Sequence, residues 1–93
     1  MNRRAVKVSG YRIEVLVFHN GEREVLGAIV RPGEYPKEAA TRALKRVGYL
    51  RCWWSFDGTT NDGRDAWNVD YRASSGYHSA RAVLPVHREA KAA

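Results

Sequence analysis

The sequence predicts a single small α+β domain in the order β-β-α-β-β-β, with one helix packed on one face of an antiparallel sheet. Five short segments alternate apolar and polar residues, which is typical of strands that bury one face. One segment between the second and third of these strands has helical spacing instead. A chain of 93 residues is long enough for one hydrophobic core, and no linker divides it. We therefore expect one domain over residues 6–87, with flexible termini at 1–5 and 88–93.

The first two strands are predicted to form a hairpin around Asn20-Gly21. This dipeptide suits a type I′ turn, because both central residues of that turn need positive φ. If these two residues form the loop, Val17 lies opposite Glu24 and Tyr11 lies opposite Val30. The second face of the hairpin is more apolar than a solvated surface needs, and we expect it to be covered, with a homodimer through this hairpin as one arrangement. Its apolar residues are Leu16, Phe18, Val25 and Ile29.

A helix is predicted between Pro36 and Gly48. Proline suits the first helical position, and glycine suits the left-handed residue that follows a helix. The apolar stripe of this helix consists mainly of alanines, with Leu44 and Val47, so the helix can lie close to the sheet. The spacing allows Glu38 to pair with Arg42 one turn later. The cations on the opposite face of the helix are Lys37, Arg42, Lys45 and Arg46.

Three more strands follow, over residues 50–56, 66–72 and 79–86. Clusters of Gly, Ser, Thr, Asn and Asp separate them, which predicts turns. Proline has no backbone donor, so Pro85 predicts that the last strand lies at a sheet edge or ends early. In the third strand the alternation directs Trp53 away from the core. The residues of this strand that we expect on the core face are Leu50, Cys52, Trp54 and Phe56.

Charge and cysteine content restrict the classes of function. The net charge is +6, and 12 of the 16 cations are arginine, whose planar guanidinium suits phosphate and carboxylate groups. A single cysteine cannot form an internal disulfide, and no Cys/His cluster has the spacing of a zinc site. No apolar run is long enough for a membrane span or a signal peptide. We expect a soluble cytoplasmic protein with no metal, no cofactor and no membrane partner.

The candidate binding surface combines basic side chains with one outward-facing aromatic residue. Basic groups neutralise phosphates, and an exposed aromatic ring can stack on a base. The predicted function is therefore a non-enzymatic binding module that engages nucleic acid or a nucleoprotein complex. Tryptophan and arginine also dominate protein interfaces, so an inhibitor that binds a host protein through Trp53 is the alternative. The predicted site residues are Lys37, Arg42, Lys45, Arg46, Arg51, Trp53 and Arg72.

Evidence for catalysis is limited to the histidines. The chain has no Gly-rich phosphate loop, nucleophile elbow or paired-histidine metal motif. His19, His78 and His87 fall at strand ends and share no motif. Histidines with arginine and tyrosine can cleave RNA without metal, so a toxin-like ribonuclease is the third hypothesis. The loop over residues 57–65 alternates oxygen-bearing side chains, but it lacks the glycine and glutamate of a calcium loop.

The segment over residues 35–40, Tyr-Pro-Lys-Glu-Ala-Ala, resembles the strand-to-helix step of plant ethylene-response and phage integrase arm-binding domains, which read DNA with a sheet. In size and lack of motifs the chain is also similar to small phage proteins that inhibit host machinery, including anti-CRISPR proteins. The first resemblance implies DNA as a partner, and the second implies a host protein or nucleoprotein complex. The positive charge makes an acidic host protein the expected protein partner.

Overall fold

The computed structural model describes residues 10–85 and confirms the α+β fold and the order β-β-α-β-β-β. The predicted flexible termini lie outside these residues. The helix and strands are β1 (Tyr11–His19), β2 (Glu22–Val30), α1 (Pro36–Arg46), β3 (Arg51–Thr59), β4 (Asp65–Ala73) and β5 (Gly76–Leu84).

The five strands form one antiparallel sheet in the order β2-β1-β5-β4-β3. The outer strands β2 and β3 form the two edges, and β5 is central because it pairs with both β1 and β4. The prediction of an edge position from Pro85 is therefore wrong, whereas the early end is confirmed. The last strand stops at Leu84, so the missing N–H of Pro85 removes no hydrogen bond from the sheet.

The first hairpin has the predicted turn and register. Asn20 and Gly21 both have positive φ, at 52° and 79°, as a type I′ turn requires. Val17 pairs with Glu24 and Tyr11 pairs with Val30. Local turn chemistry is thus sufficient to set the pairing of β1 with β2.

The helix begins and ends where the sequence predicts. At its start, the side chain of Glu38 accepts a hydrogen bond from the backbone N–H of Tyr35 at 2.7 Å. At its end, Gly48 has a φ of 103°. The N–H groups of Gly48 and Tyr49 donate to the carbonyls of Lys45 and Leu44, at 3.3 and 3.0 Å, which is the Schellman arrangement.

The hydrophobic core lies between α1 and one face of the sheet. The helix contributes Ala39, Ala40, Ala43 and Leu44, and the strands contribute mainly Ile13, Val15, Val17, Ala28, Val30, Trp67, Val69, Tyr71, Ala82 and Leu84. Small helical side chains permit the close approach that the sequence indicated.

Two residues that were expected on the core face of the third strand lie outside the core. Leu50 and Phe56 are 53% and 57% exposed, although both were expected to be buried. Because β3 is an edge strand, its side chains have neighbours on one side only. The helix reaches the middle of this strand, where the indole N–H of Trp54 donates to Thr41 Oγ1 at 2.9 Å. Cys52 and Trp54 are half-buried and pack against the core.

The other side of the sheet, which we call the distal face, carries the alternate residues of each strand. The apolar hairpin residues Phe18, Val25 and Ile29 lie on this face and are exposed, so no part of residues 10–85 covers them. The distal face comprises Arg12, Glu14, Leu16, Phe18, Arg23, Val25, Gly27, Ile29, Arg51, Trp53, Ser55, Ala66, Asn68, Asp70, Arg72, Tyr77, Ser79, Arg81 and Val83.

A candidate nucleic-acid interface on the distal face

The predicted site residues lie on two opposite sides of the sheet. Lys37, Arg42, Lys45 and Arg46 are on α1, which covers the core side. Arg51, Trp53 and Arg72 are on the distal face, because their strands direct alternate side chains away from the helix. The structure thus brings the three sheet residues together and separates them from the four helix residues.

Two of the helix cations have structural partners. Arg42 forms a bidentate ion pair with Glu34 rather than the expected pair with Glu38, whose carboxylate is occupied at the start of the helix. The side-chain hydrogen bond from Arg42 lowers the pKa of Glu34, and the same bond raises the pKa of Arg42. Lys37 Nζ lies 5.1 Å from the ring centroid of Trp67, within cation–π range. These charges stabilise the fold.

The remaining helix cations, Lys45 and Arg46, are exposed and point to different sides of the helix. Arg46 lies toward β2, where its Nη2 donates to the carbonyl of Gly27 over 3.4 Å. Lys45 lies on the side of β3, and its charge favours the thiolate of Cys52. Burial has the larger effect on that group and raises the pKa of the thiol.

The three sheet residues form a compact group with Tyr77, which we call the aromatic–arginine cluster (Arg51, Trp53, Arg72, Tyr77). In the register, Arg51 lies opposite Arg72, and Arg72 lies opposite Tyr77 on the next strand. The rings of Trp53 and Tyr77 have centroids 6.3 Å apart and an interplanar angle of 36°. Trp53 is 43% exposed and Tyr77 is 75% exposed. The guanidinium carbon of Arg51 lies 5.3 Å from the Trp53 ring centroid.

The electrostatics of the cluster are unbalanced. Within residues 10–85, the ion pairs involve other arginines and leave Arg51 and Arg72 without a carboxylate partner. Like charges directly opposite each other on neighbouring strands destabilise a sheet. The carboxylate on the same face, Asp70, lies opposite Trp53 and Ser79, and it accepts a hydrogen bond from Ser79 Oγ at 2.7 Å. The cluster is therefore a corner of positive charge with two exposed rings.

Sequence reasoning did not include Tyr77 in the site. Alternation of Tyr77, Ser79 and Arg81 along one strand indicates that they share a face. Placing Tyr77 beside Arg72 also requires the register of β4 with β5, in which these two residues lie opposite each other. That register follows from the tight turn before Gly76, whose φ is 126°.

Nearer the middle of the distal face, the positive charge is neutralised. Arg81 forms an ion pair with Asp57. The register of β3 against β4 shifts between Phe56 and Gly58, so Asp57 lies at a β-bulge. The bulge places this carboxylate within reach of Arg81 two strands away. On β3, β4 and β5, the distal arginines without an ion pair within residues 10–85 are therefore Arg51 and Arg72, at one corner of the sheet.

Two of the strand-end histidines, His19 and His78, lie close together although they share no sequence motif. His19 Nε2 and the hydroxyl of Tyr71 share a hydrogen bond of 2.9 Å, and the rings of His19 and His78 have centroids 6.3 Å apart. The pairing of β1 with β5 and of β5 with β4 brings them together. His87 lies outside the described residues.

An open cavity of about 390 Å³ adjoins this group on the core side of the sheet. Tyr49 stacks on Tyr71 there, with centroids 3.8 Å apart, and burial raises the pKa of Tyr49. The same cavity is lined by Arg23 as well as by Glu22 and Glu24, so its charged side chains are of both signs.

The carboxylate in the loop between β3 and β4, that of Asp62, is bound within the loop. Arg64 Nη2 lies 2.8 Å from Asp62 Oδ2, and the hydrogen bond from this arginine lowers the pKa of Asp62 to about 2.

In the part of the chain that the structure describes, no group of three or more His, Cys, Asp or Glu residues is placed to hold a metal ion. Over the same residues, no helix has the length and hydropathy needed to cross a membrane. The chain matches no protein-family model, no curated protein and no solved structure.

Proposed function

We propose that the protein is a non-enzymatic module that binds single-stranded nucleic acid, alone or within a nucleoprotein complex, through the aromatic–arginine cluster. The observation that supports this proposal is the pair of exposed rings, Trp53 and Tyr77, flanked by two arginines without ion-pair partners within residues 10–85. Bases stack on the rings while phosphates contact the guanidinium groups. Such a function belongs in the cytoplasm, where an unpaired cysteine remains reduced.

Single strands fit the cluster better than a duplex does. The bases of a duplex stack on one another, so their faces are not accessible to protein rings. In a single strand the bases can turn outward and stack on exposed aromatic side chains. The exposed rings of Trp53 and Tyr77 therefore suit unpaired bases.

The opposed arginines support the same proposal. Arg51 and Arg72 face each other across β3 and β4, which disfavours the folded state while the protein is free. A phosphate placed between them replaces repulsion with two charge-assisted hydrogen bonds. The arrangement is therefore more favourable in the bound protein than in the free protein.

The test is a fluorescence-anisotropy titration of labelled single-stranded DNA and RNA, and of the matching duplexes, at two salt concentrations. Trp53→Ala and Tyr77→Ala are each expected to weaken single-strand binding by about 5- to 150-fold, the equivalent of 1–3 kcal/mol per stacked base. Phe56→Ala is the matched control. Phe56 is an exposed aromatic residue on the same strand as Trp53, but it lies on the core side of the sheet.

Two results would contradict the proposal. One is the absence of any anisotropy change for wild-type protein at low salt. The other is equal loss of affinity in Trp53→Ala and Phe56→Ala, because equal loss means that the distal face is not the binding surface.

The exposed hairpin residues Phe18, Val25 and Ile29 favour a second candidate, a protein-binding inhibitor that acts on an acidic host protein or pairs with a second copy of itself. Apolar groups grouped on one face typify protein interfaces. Val25→Lys places a charge within this group and is expected to abolish concentration-dependent dimerisation in sedimentation velocity. A wild-type protein that sediments as a monomer at every concentration rules out the homodimer.

A further inference from the structure

A second concentration of positive charge lies at the edge of the sheet formed by β2, away from the aromatic–arginine cluster. An open cavity of about 430 Å³ lies beside this edge, a volume within the range of small-ligand sites. Four of its eight lining residues are arginines, contributed by β1, by the residue that follows β2, and by α1. They are Arg12, Arg31, Arg42 and Arg46.

One of these four charges is neutralised and three are not. The carboxylate of Glu34 accepts hydrogen bonds from both terminal nitrogens of Arg42. Arg12, Arg31 and Arg46 form no ion pair within residues 10–85. Three cations that share one cavity repel one another, and a bound anion removes that repulsion.

The backbone of β2 adds donors to the same cavity. Arg46 donates to the carbonyl of Gly27, and Arg42 donates to the carbonyl of Ile29 at 2.8 Å. Both carbonyls therefore point away from β1. In an antiparallel strand the N–H and C=O of one residue point to the same side, so the N–H groups of Gly27 and Ile29 also face outward. Within residues 10–85 this strand lies at the edge of the sheet, so no neighbouring strand of that range takes these N–H groups.

Gly27 also explains how Arg12 reaches this edge. The side chain of Arg12 starts on the distal face of β1, and its Nη2 lies 2.7 Å from the position that a Cβ on residue 27 would occupy. A larger residue would push the guanidinium away. Arg12 and Arg46 thus approach Gly27 from opposite sides of the sheet.

We propose that Arg12, Arg31 and Arg46, with the outward N–H of Gly27, form a phosphate-binding site. Guanidinium groups pair with phosphate oxygens through two parallel hydrogen bonds, and the several oxygens of a phosphate can serve three arginines at once. The bound group is either a phosphate of a nucleic-acid backbone or a free phosphate compound. The site lies at the opposite edge of the sheet from β3 and does not depend on the proposed function of the aromatic–arginine cluster.

Isothermal titration calorimetry with pyrophosphate at low ionic strength tests the site. Wild-type protein is expected to bind one pyrophosphate, and Arg12→Gln and Arg46→Gln are each expected to weaken binding about tenfold. Lys45→Gln is the matched control, because it removes one charge from the residue next to Arg46 on another side of α1 and is expected to change affinity less than twofold. Gly27→Ala keeps every charge and displaces Arg12, so it is also expected to weaken binding.

These titrations distinguish a specific phosphate site from nonspecific electrostatic attraction between pyrophosphate and a basic protein. No heat with wild-type protein, or equal weakening by Lys45→Gln and Arg46→Gln in variants with native circular dichroism, overturns the proposal. Competition between pyrophosphate and a single-stranded oligonucleotide identifies a nucleic-acid phosphate as the source, whereas independent binding identifies a free phosphate compound. Trp53→Ala is expected to bind pyrophosphate normally, so this result stands whether or not the distal face binds nucleic acid.

Discussion

Replacing Arg72 with glutamine is expected to weaken nucleic-acid binding while making the free protein slightly more stable. Most substitutions in a binding site leave stability unchanged or lower it. Arg72→Gln differs because it removes one of two like charges that lie directly opposite each other in the register of β3 and β4.

The two effects have calculable sizes. Side chains of opposed residues start about 5 Å apart, and two guanidinium groups about 7 Å apart in water repel by about 0.6 kcal/mol, or about 0.3 kcal/mol after screening at physiological salt. Each phosphate neutralised on a single strand contributes about 0.7 to the slope of log K against log salt. Loss of one contact therefore weakens binding about fivefold at 0.1 M salt.

Urea denaturation of the free protein and anisotropy titrations at several salt concentrations measure both effects. Arg72→Gln should raise the free energy of unfolding by a few tenths of a kcal/mol and lower the salt slope by about 0.7. Lys45→Gln has the same change in net charge on the core side, and it should alter neither quantity by as much. A loss of more than about 1 kcal/mol of stability in Arg72→Gln, or an affinity and salt slope equal to those of the wild type, would contradict the repulsion between Arg51 and Arg72 and their contact with phosphate.

Three further predictions concern the fold. Gly48→Ala places a side chain at a φ of 103° and should lower the free energy of unfolding by about 1 kcal/mol in urea, whereas no change would mean that the helix end relaxes. Asn20→Pro should cost more than about 1 kcal/mol, because proline cannot adopt the φ of 52°; an unchanged melting temperature would argue against the turn. The hydrogen bond from Arg42 lowers the pKa of Glu34 in the folded protein below 4.5. The carboxylate therefore contributes fully to the free energy of unfolding above pH 4.5, and this contribution is lost as the pH falls through the lowered pKa. The difference in melting temperature between wild type and Glu34→Gln should therefore shrink from pH 6 to pH 3, and a constant difference would contradict the role of the carboxylate.

Elements set by local chemistry could be predicted from the sequence. The Asn20-Gly21 turn determines its own conformation and fixes the register of β1 with β2. The helix is bounded by Pro36 and Gly48, whose backbone preferences do not depend on distant residues. The direction of Trp53 follows from alternation along a single strand.

Features that depend on pairing between distant strands could not be predicted. Nothing local indicates that β1 pairs with β5, so the meeting of His19 and His78 and the central place of β5 were missed. Alternation shows which face Phe56 lies on, but not that its strand is at an edge and leaves the ring exposed. The pairing of Arg42 with Glu34 rather than Glu38 likewise depends on the loop that joins β2 to the helix.

The arginines of α1 also limit the width of the sheet. An edge strand with unoccupied carbonyls is a template for another chain, and basic side chains at such an edge are one way in which proteins avoid aggregation. Here a strand that docks on β2 must first displace Arg42 from Ile29 and Arg46 from Gly27. Hydrogen bonds from charged groups contribute up to about 1.5–3 kcal/mol when well formed. The Arg42 bond, at 2.8 Å, is the stronger of the two, because the Arg46 bond is stretched to 3.4 Å. Displacing them opposes open-ended growth of the sheet between molecules. The helix arginines thereby oppose the pairing of a second chain with the β2 edge.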